Sequence, residues 1–384
     1  MAEIKFIPTE RFYADVKDVM MPRLESLFSG KIEGKGSGHC GSKLFADKFT
    51  RKCEEKINEY VDRKFTYLTT SGTASITLML LAQGIVPGDE IICTNFSCPA
   101  SVMPIKMIGA VPVFTDINKY GQQDLTNIKS LITSKTKAIM ITDLYGDCND
   151  YDQVLGLGLP ILNDSAQSFL TTYKGKQTVS IGDMSIISFS TNKNCPVFGT
   201  YGSISTDNDD LANKLRIMRK NGYENRDVGE SIPYIGMNAN PTEDKAIQLL
   251  CSLEMLPVWQ QRRKEIAEKY REKLSGVGVC FRPSPEYSET NNHKFSLMVD
   301  NKWNFRDGMS DHGVETQLHY TYNFSKTPVF GENAEQNMPG TEYFQKHAIS
   351  IPSNPWLTDA ETDQIIDAVK NCVTDKDLEL CQKM

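Results

Sequence analysis

Short β-rich runs alternate with helical segments through the first half of the chain, and this alternation restricts the fold more than any other feature. FTYLTT (65–70), EIICT (90–94), VPVFTD (111–116), TKAIMITDL (136–144), LPILND (159–164) and MSIISFS (184–190) are apolar along most of their length. Strands exposed on one face alternate polar and apolar residues, whereas strands covered on both faces do not. Between them lie helical patterns. Phe45, Phe49, Cys53, Ile57 and Val61 fall four apart within Leu44–Val61, giving one apolar stripe. Ser71-Gly72-Thr73 opens a helix that closes at Gly84, and Asn208 caps another through Ile217. The series predicts an α/β fold with a mainly parallel sheet covered by helices.

From about Pro241 the texture changes. A helical stretch runs to Ser275, with a bend or interruption expected at Pro257. Two strand-like runs, HKFSLMVDN and ETQLHY, and a closing helix in TDAETDQIIDAVKNCV describe a smaller α+β unit. The length of 384 residues suits two domains, placed here at 1–250 (large) and 251–384 (small C-terminal). A net charge of −7 argues against a nucleic-acid partner. No apolar run reaches the ~18 residues of a membrane span, and MAEIKFIPTERFY lacks the apolar core of a secretion signal. The expected setting is the cytoplasm, away from membranes. The ten cysteines are scattered without a CxxC pair and read as reduced thiols. The histidines form no metal-binding spacing, so no metal is expected.

Gly36-Ser37-Gly38-His39-Cys40-Gly41 fits the dinucleotide pattern GxGxxG. That chemistry needs a strand before the first glycine. LESLFSGKIEGK reads instead as a helix end and a loop, so the segment is expected to be a loop entering a helix; a nicotinamide enzyme is the minor alternative.

Four features fall at strand ends, where open α/β sheets bind ligands. Ser71-Gly72-Thr73-Ala74 sets a helix N-terminus after a strand. Free amides there suit a phosphate, with Gly72, Thr73 and Ala74 as contacts. Phe96, past the next strand, offers a ring for stacking. Asp164 ends an apolar strand, where a carboxylate needs a cation such as a protonated pyridine nitrogen. Lys193 lies just past the strand ending at Ser190, able to form a Schiff base and move a proton. Ser188 offers a hydroxyl to the phosphate. Each feature alone has a plain explanation: a capped helix, a core ring, a capping aspartate, a surface lysine. Their shared order along the chain is what carries weight.

In that order the motifs resemble the pyridoxal-phosphate-dependent nucleotide-sugar aminotransferases of the DegT type, which have fold type I. PGDEII, GAVPVFTDI, DLYGDCNDYD and ISIPSNPWLTDAETDQIIDAV extend the resemblance from about Gly34 onward. It implies a seven-stranded-type sheet and pyridoxal 5'-phosphate as cofactor. Lys193 would carry the cofactor, Asp164 would meet the pyridine nitrogen, and Gln167 would lie near the ring hydroxyl. Phe96 would stack on the ring, while Thr73, Ala74 and Ser188 would hold the phosphate. The family's homodimers share active sites, and Asn240, with Asn238 second, would reach the partner's phosphate. His319 and Tyr320 would serve the substrate. A lysine at 193 favours amino transfer, from an amino acid such as L-glutamate to a nucleotide-linked keto-sugar.

Three positions depart from the family pattern. Thr200-Tyr201-Gly202 replaces Glu-Gly-Gly, and the Tyr201 ring is expected to reshape the acceptor pocket. Asp143 stands where histidine is common, and Asn163 where Glu is common. Two other functions stay open at this stage: amination of a cyclitol or other non-nucleotide ketone, and a regulator that binds the cofactor without catalysis.

Overall fold

The computed structural model describes residues 3–31, 47–224, 231–333 and 336–382. The GxGxxG segment and Cys40 lie outside them, as do the first residues of the stripe that begins at Leu44.

Nine strands form among the described residues of the chain's first half. β1 (Phe65–Thr69), β2 (Glu90–Thr94), β3 (Val111–Thr115), β4 (Thr136–Thr142) and β5 (Ile161–Asp164) precede a two-residue-per-strand hairpin, β6 (Thr172–Tyr173) and β7 (Lys176–Gln177), and then β8 (Met184–Ser188) and β9 (Gly202–Thr206). The central sheet is seven-stranded in the order β1-β9-β8-β5-β4-β2-β3, and only β9 runs against the rest. The fold is α/β of fold type I. Helices cover both faces, which is why β2, β4, β5 and β8 are apolar runs rather than alternating ones.

The helices before the small domain are α1 (Thr9–Phe28), α2 (Lys48–Val61), α3 (Gly72–Ala82), α4 (Pro99–Met107), α5 (Asp209–Met218) and α6 (Glu243–Leu274). α3 is apolar on all sides because it is wrapped by sheet, α4 and α5; Ile76, Leu78, Met79 and Leu80 join the main core. Asn208 caps α5 through Oδ1, which accepts from the Asp210 and Leu211 amides at 2.9 and 3.0 Å.

α6 runs unbroken through Pro257, contrary to the expected interruption. Proline removes the amide that would bond to the carbonyl four residues back. That carbonyl belongs to Leu253, and the Tyr60 hydroxyl of α2 donates to it at 3.1 Å. The lost bond is replaced from a neighbouring helix. Tyr60→Phe is expected to lower stability by about 1–3 kcal/mol, the range for a buried polar group left unpaired; denaturant midpoints at constant slope would measure it.

The boundary expected near residue 250 falls inside α6. The first half of this helix packs Ala246, Leu249 and Leu253 against Cys53, Ile57 and Val61 of α2. Its second half gives Ile266, Ala267, Tyr270 and Leu274 to the small-domain core. There, β10 (Cys280–Phe281), β12 (Phe295–Met298) and β13 (Ala348–Ile351) make an antiparallel sheet, while β11 (Ser288–Glu289) pairs back onto β6. α7 (Lys302–Asp311), α8 (Pro339–His347), α9 (Asp359–Cys372) and α10 (Asp375–Gln382) complete the chain. A capping box starts α9, with Thr358 and Glu361 satisfying each other's amides.

Two further expectations are corrected. ETQLHY is not a strand: it makes the single bridge Gln317 to Ser350, just after the bridge of Val314 to Ile4. The thiols are not all reduced, because Cys280 of β10 is joined to Cys381 of α10, with Cα atoms 5.2 Å apart. Separated by 101 residues, the two meet only once α10 folds back over the small sheet, so their spacing carried no signal. The other described cysteines are free. Among the described residues, no helix is long and apolar enough to cross a membrane.

Candidate active site

A cavity of about 360 Å³ opens at the C-terminal edge of the sheet, within the size range of small-molecule sites. Gly72, Thr73, Asp164, Gln167, Ser188, Lys193, His319 and Tyr320 all line it. Topology explains the convergence. The turn after β1, the end of β5 and the loop after β8 share this edge, and β9, running the other way, begins there.

The β1–α3 turn is held tightly. Ser71 Oγ accepts from the Ala74 amide at 3.1 Å, which caps α3. Gly72 and Thr73 occupy the first helical turn, whose amides have no acceptor within the helix. β9 presses against this turn: a Cβ on Gly202 would lie 2.7 Å from the Ser71 carbonyl carbon and 2.8 Å from the Gly72 nitrogen. A Cβ on Gly72 would come 3.1 Å from Ser188 Cβ. The small residues thus bring two amides and the Ser188 hydroxyl to one end of the cavity, beside the positive end of a helix. The Ala74 amide is taken by the Ser71 cap and its methyl lies in the main core.

Asp164 is buried. Its Oδ2 accepts from Ser101 Oγ at 2.6 Å and its Oδ1 from the Ala166 amide at 3.1 Å. Burial pushes its pKa up, opposed by those two donors and by the Lys193 charge. Lys193 shows the reverse, with burial lowering its pKa and Asp164 raising it. A lysine held toward its neutral form is the better nucleophile.

Gln167 is fixed at both ends of its amide. Its Oε1 accepts from the Tyr145 amide at 2.9 Å, and its Nε2 donates to the Tyr320 hydroxyl at 2.8 Å. His319 Nδ1 pairs with Ser350 Oγ at 2.9 Å. Burial, then the Lys294 and Lys193 charges, hold the His319 imidazole neutral.

Phe96 does not reach the cavity wall. Its ring is fully buried with Ile117, Leu144 and Phe344, and meets Tyr320 edge-on at 5.7 Å. The loop turns so that Cys98, two residues later, faces the cavity instead. Asn240 and Asn238 do not line this chain's cavity; Asn240 Oδ1 is buried without a partner among the described residues. Tyr201 points away as well: just before β9, Thr200 lines the cavity while Tyr201 joins the core beneath α2 and α6. Its hydroxyl donates to the Thr242 carbonyl at 3.3 Å. The ring does not reshape the pocket.

The two other departures form one network. The Tyr151 hydroxyl donates to Asp143 Oδ2 at 2.8 Å and accepts from Asn163 Nδ2 at 2.6 Å. Asp143 also accepts from the Asn149 amide and side chain at 2.9 Å and from Ser168 at 3.0 Å. Burial still raises its pKa, to about 6.

Sequence reasoning missed Cys98, Ser101, Asn194, His293 and Lys294. Ser101 lies on α4, one turn from its N-terminus, with no motif to mark it. The signal for His293 and Lys294 was present: two basic residues stand immediately before the apolar run FSLMV. His293 Nδ1 meets Asn194 Oδ1 at 2.6 Å, linking this segment to the residue after Lys193.

The cavity fits pyridoxal phosphate on its own chemistry. It holds a buried carboxylate without an ion-pair partner among the described residues, a lysine opposite, and paired amides with a hydroxyl for a phosphate. Fold and site together define a pyridoxal-phosphate-dependent aminotransferase. The chain belongs to the DegT/DnrJ/EryC1/StrS aminotransferase family, whose family model matches residues 41–370.

It is 28% identical over 327 residues to a UDP-2-acetamido-2-deoxy-3-oxo-D-glucuronate aminotransferase of Pseudomonas aeruginosa, covering 83% of this chain and 89% of that one. It is 29% identical over 326 residues to a dTDP-3-amino-3,6-dideoxy-alpha-D-galactopyranose transaminase of Aneurinibacillus thermoaerophilus, covering 82% and 88%. The crystal structure of NtdA from Bacillus subtilis with bound cofactor PMP superposes with a TM-score of 0.85 at 25% identity, covering 97% of this chain and 85% of that one.

Proposed function

We propose that this aminotransferase moves an amino group from L-glutamate to the keto group of a nucleotide-linked sugar. The observation that carries the reading is one cavity holding Lys193, Asp164 and the α3 N-terminus together. The acceptor class is supported by relatives named for UDP- and dTDP-linked sugars.

Within that reading, Gly72, Thr73 and Ser188 hold the cofactor's phosphate, Asp164 its ring nitrogen and Gln167 its ring hydroxyl. When bound, pyridoxal phosphate supplies an electron sink for the substrate carbanion. The chain supplies the rest. Asp164 keeps the ring nitrogen protonated by offering a buried counter-charge. Lys193 Nζ carries the cofactor and moves a proton at the substrate carbon. Gln167 is kept in place by Tyr145 and Tyr320, and His319, neutral, faces the substrate side. Two substrates visiting one cavity in turn predict ping-pong kinetics.

The protein is read as a cytoplasmic homodimer in which Asn240 completes the partner's phosphate site. Asn240→Ala is then expected to weaken cofactor binding about tenfold, as loss of a hydrogen bond to a charged group would. Fluorescence titration of the apoprotein measures this; unchanged affinity, with a loss in Asn238→Ala, moves the role to Asn238.

Mixing the holo-protein with L-glutamate alone tests the function. The cofactor absorbance should shift and one equivalent of 2-oxoglutarate per site should appear. An unchanged spectrum with no 2-oxoglutarate identifies a cofactor-binding regulator. Amine passed to a free cyclitol ketone in preference to a nucleotide keto-sugar replaces the acceptor.

A further inference from the structure

Lys294 sits where the small domain docks onto the large sheet. Its amide donates to the Tyr145 carbonyl at 3.1 Å, and the Asn291 amide to the Gly146 carbonyl at 3.0 Å. Gly146 has φ +98°, and a Cβ there would lie 2.7 Å from the His293 nitrogen. Glycine therefore lets residues 291–294 lie flat against this turn.

The docking aims the Lys294 side chain inward. It is 6% exposed and lines the main cavity with Lys193, His293 and His319. It also lines an adjoining pocket of about 20 Å³ with Phe6, Arg263 and Asn354. Its ammonium has no hydrogen-bond or ion-pair partner among the described residues. The Phe6 ring lies 4.8 Å away, centroid to nitrogen. The charges acting on Lys294 are those of Lys193 and Arg263, both positive. Arg263 donates to the Ser353 carbonyl at 2.9 Å, and its Nε has no partner among the described residues.

Burying an ammonium without a counter-charge is costly, and one aromatic face does not offset it. Lys193 and Lys294 stand on the cavity and Arg263 on the adjoining pocket; with Asp164 committed to the cofactor ring, a carboxylate brought by a ligand is the partner that would keep Lys294 charged. The adjoining pocket has room for about one water-sized group, which suits a carboxylate oxygen better than a phosphate.

We infer that Lys294 is a carboxylate-binding residue of the substrate cavity, its counter-ion delivered by the substrate. The inference rests on the aminotransferase reading above. Two substrates can bring that group: the amino-acid donor, or a sugar acceptor oxidised to a uronate. Both present the same chemistry to Nζ.

The test uses Lys294→Met, which keeps the side chain's length and removes its charge, with Lys294→Gln as a second variant. Each half-reaction is followed separately by cofactor absorbance, and glutarate binding to the holo-protein by calorimetry. If the donor supplies the carboxylate, KM for L-glutamate rises about 10- to 100-fold, the effect of losing a charge-assisted hydrogen bond. Glutarate affinity then falls in step, while kcat changes little. If the acceptor supplies it, the rise is confined to a uronate-bearing nucleotide sugar and spares its neutral hexose counterpart.

Variants that fold normally, bind glutarate as before and keep every KM within about twofold overturn the inference, as does failure of both variants to fold. Absence of amino transfer by the unaltered protein counts against the proposed function. Undiminished transfer by the variants counts against Lys294 alone.

Discussion

Lys193→Ala is expected to lower the rate of amino transfer by roughly three to four orders of magnitude while leaving the fold intact. The size follows from removing the covalent attachment point and the proton carrier together, since a positioned acid–base group alone gives about 10²–10⁴. The fold should survive because the Lys193 side chain holds nothing else in place. Its backbone amide, which alanine retains, bonds to the Ser190 carbonyl at 2.9 Å, and no hydrogen bond to its Nζ forms among the described residues. Single-turnover kinetics with L-glutamate and a thermal melt would separate the two effects. A variant turning over at the native rate would remove Lys193 from the mechanism.

Asp164→Asn is the second large effect. The carboxylate is buried and has a hydroxyl and an amide as donors but no cation of its own among the described residues. Asparagine keeps the shape and loses the charge. Breaking a buried ion pair by removing one partner costs about 3–5 kcal/mol, which corresponds to a loss of about two to four orders of magnitude shared between cofactor affinity and kcat. The apoprotein should become more stable, since a desolvated charge is gone; the sign follows from the raised pKa of Asp164. That pKa makes ionisation a cost to the fold that grows as pH rises above the usual carboxylate range, and the variant should lack this dependence. Cofactor titration, kcat and melting temperature across that range check all three.

Much of the large domain was legible because strands covered on both faces leave an unmistakable run of apolar residues. EIICT, TKAIMIT and MSIIS needed no other signal. Ser71 and Asn208 announced their helices through capping chemistry, which is local. Asp164 and Lys193 could be paired because chain order places both at one sheet edge.

What sequence could not give was side-chain direction in loops and meetings between distant segments. Phe96 and Cys98 are two residues apart, and only the path of the loop decides which one meets the cavity. Tyr201 was misjudged for the same reason, since Thr200 and Tyr201 precede β9 and only the path of the chain there sends one to the cavity and the other to the core. Pro257 looked like a break, since Tyr60, nearly two hundred residues earlier, is what makes the helix tolerable. Cys280 and Cys381 meet by the same kind of long-range closure. Lys294 was visible as a charge just before an apolar run, yet that its ammonium lacks a partner among the described residues appears only once Tyr145 and Gly146 are seen to hold it at the cavity.

The account rests on covalent attachment of the cofactor at one side chain, and borohydride reduction of the holo-protein followed by peptide mapping tests it most directly. The account predicts the reduced cofactor on the peptide containing Ser190 to Asn194, with the added mass on Lys193. A label on Lys294 or any other lysine, or none on a protein that still transfers amine, would contradict it.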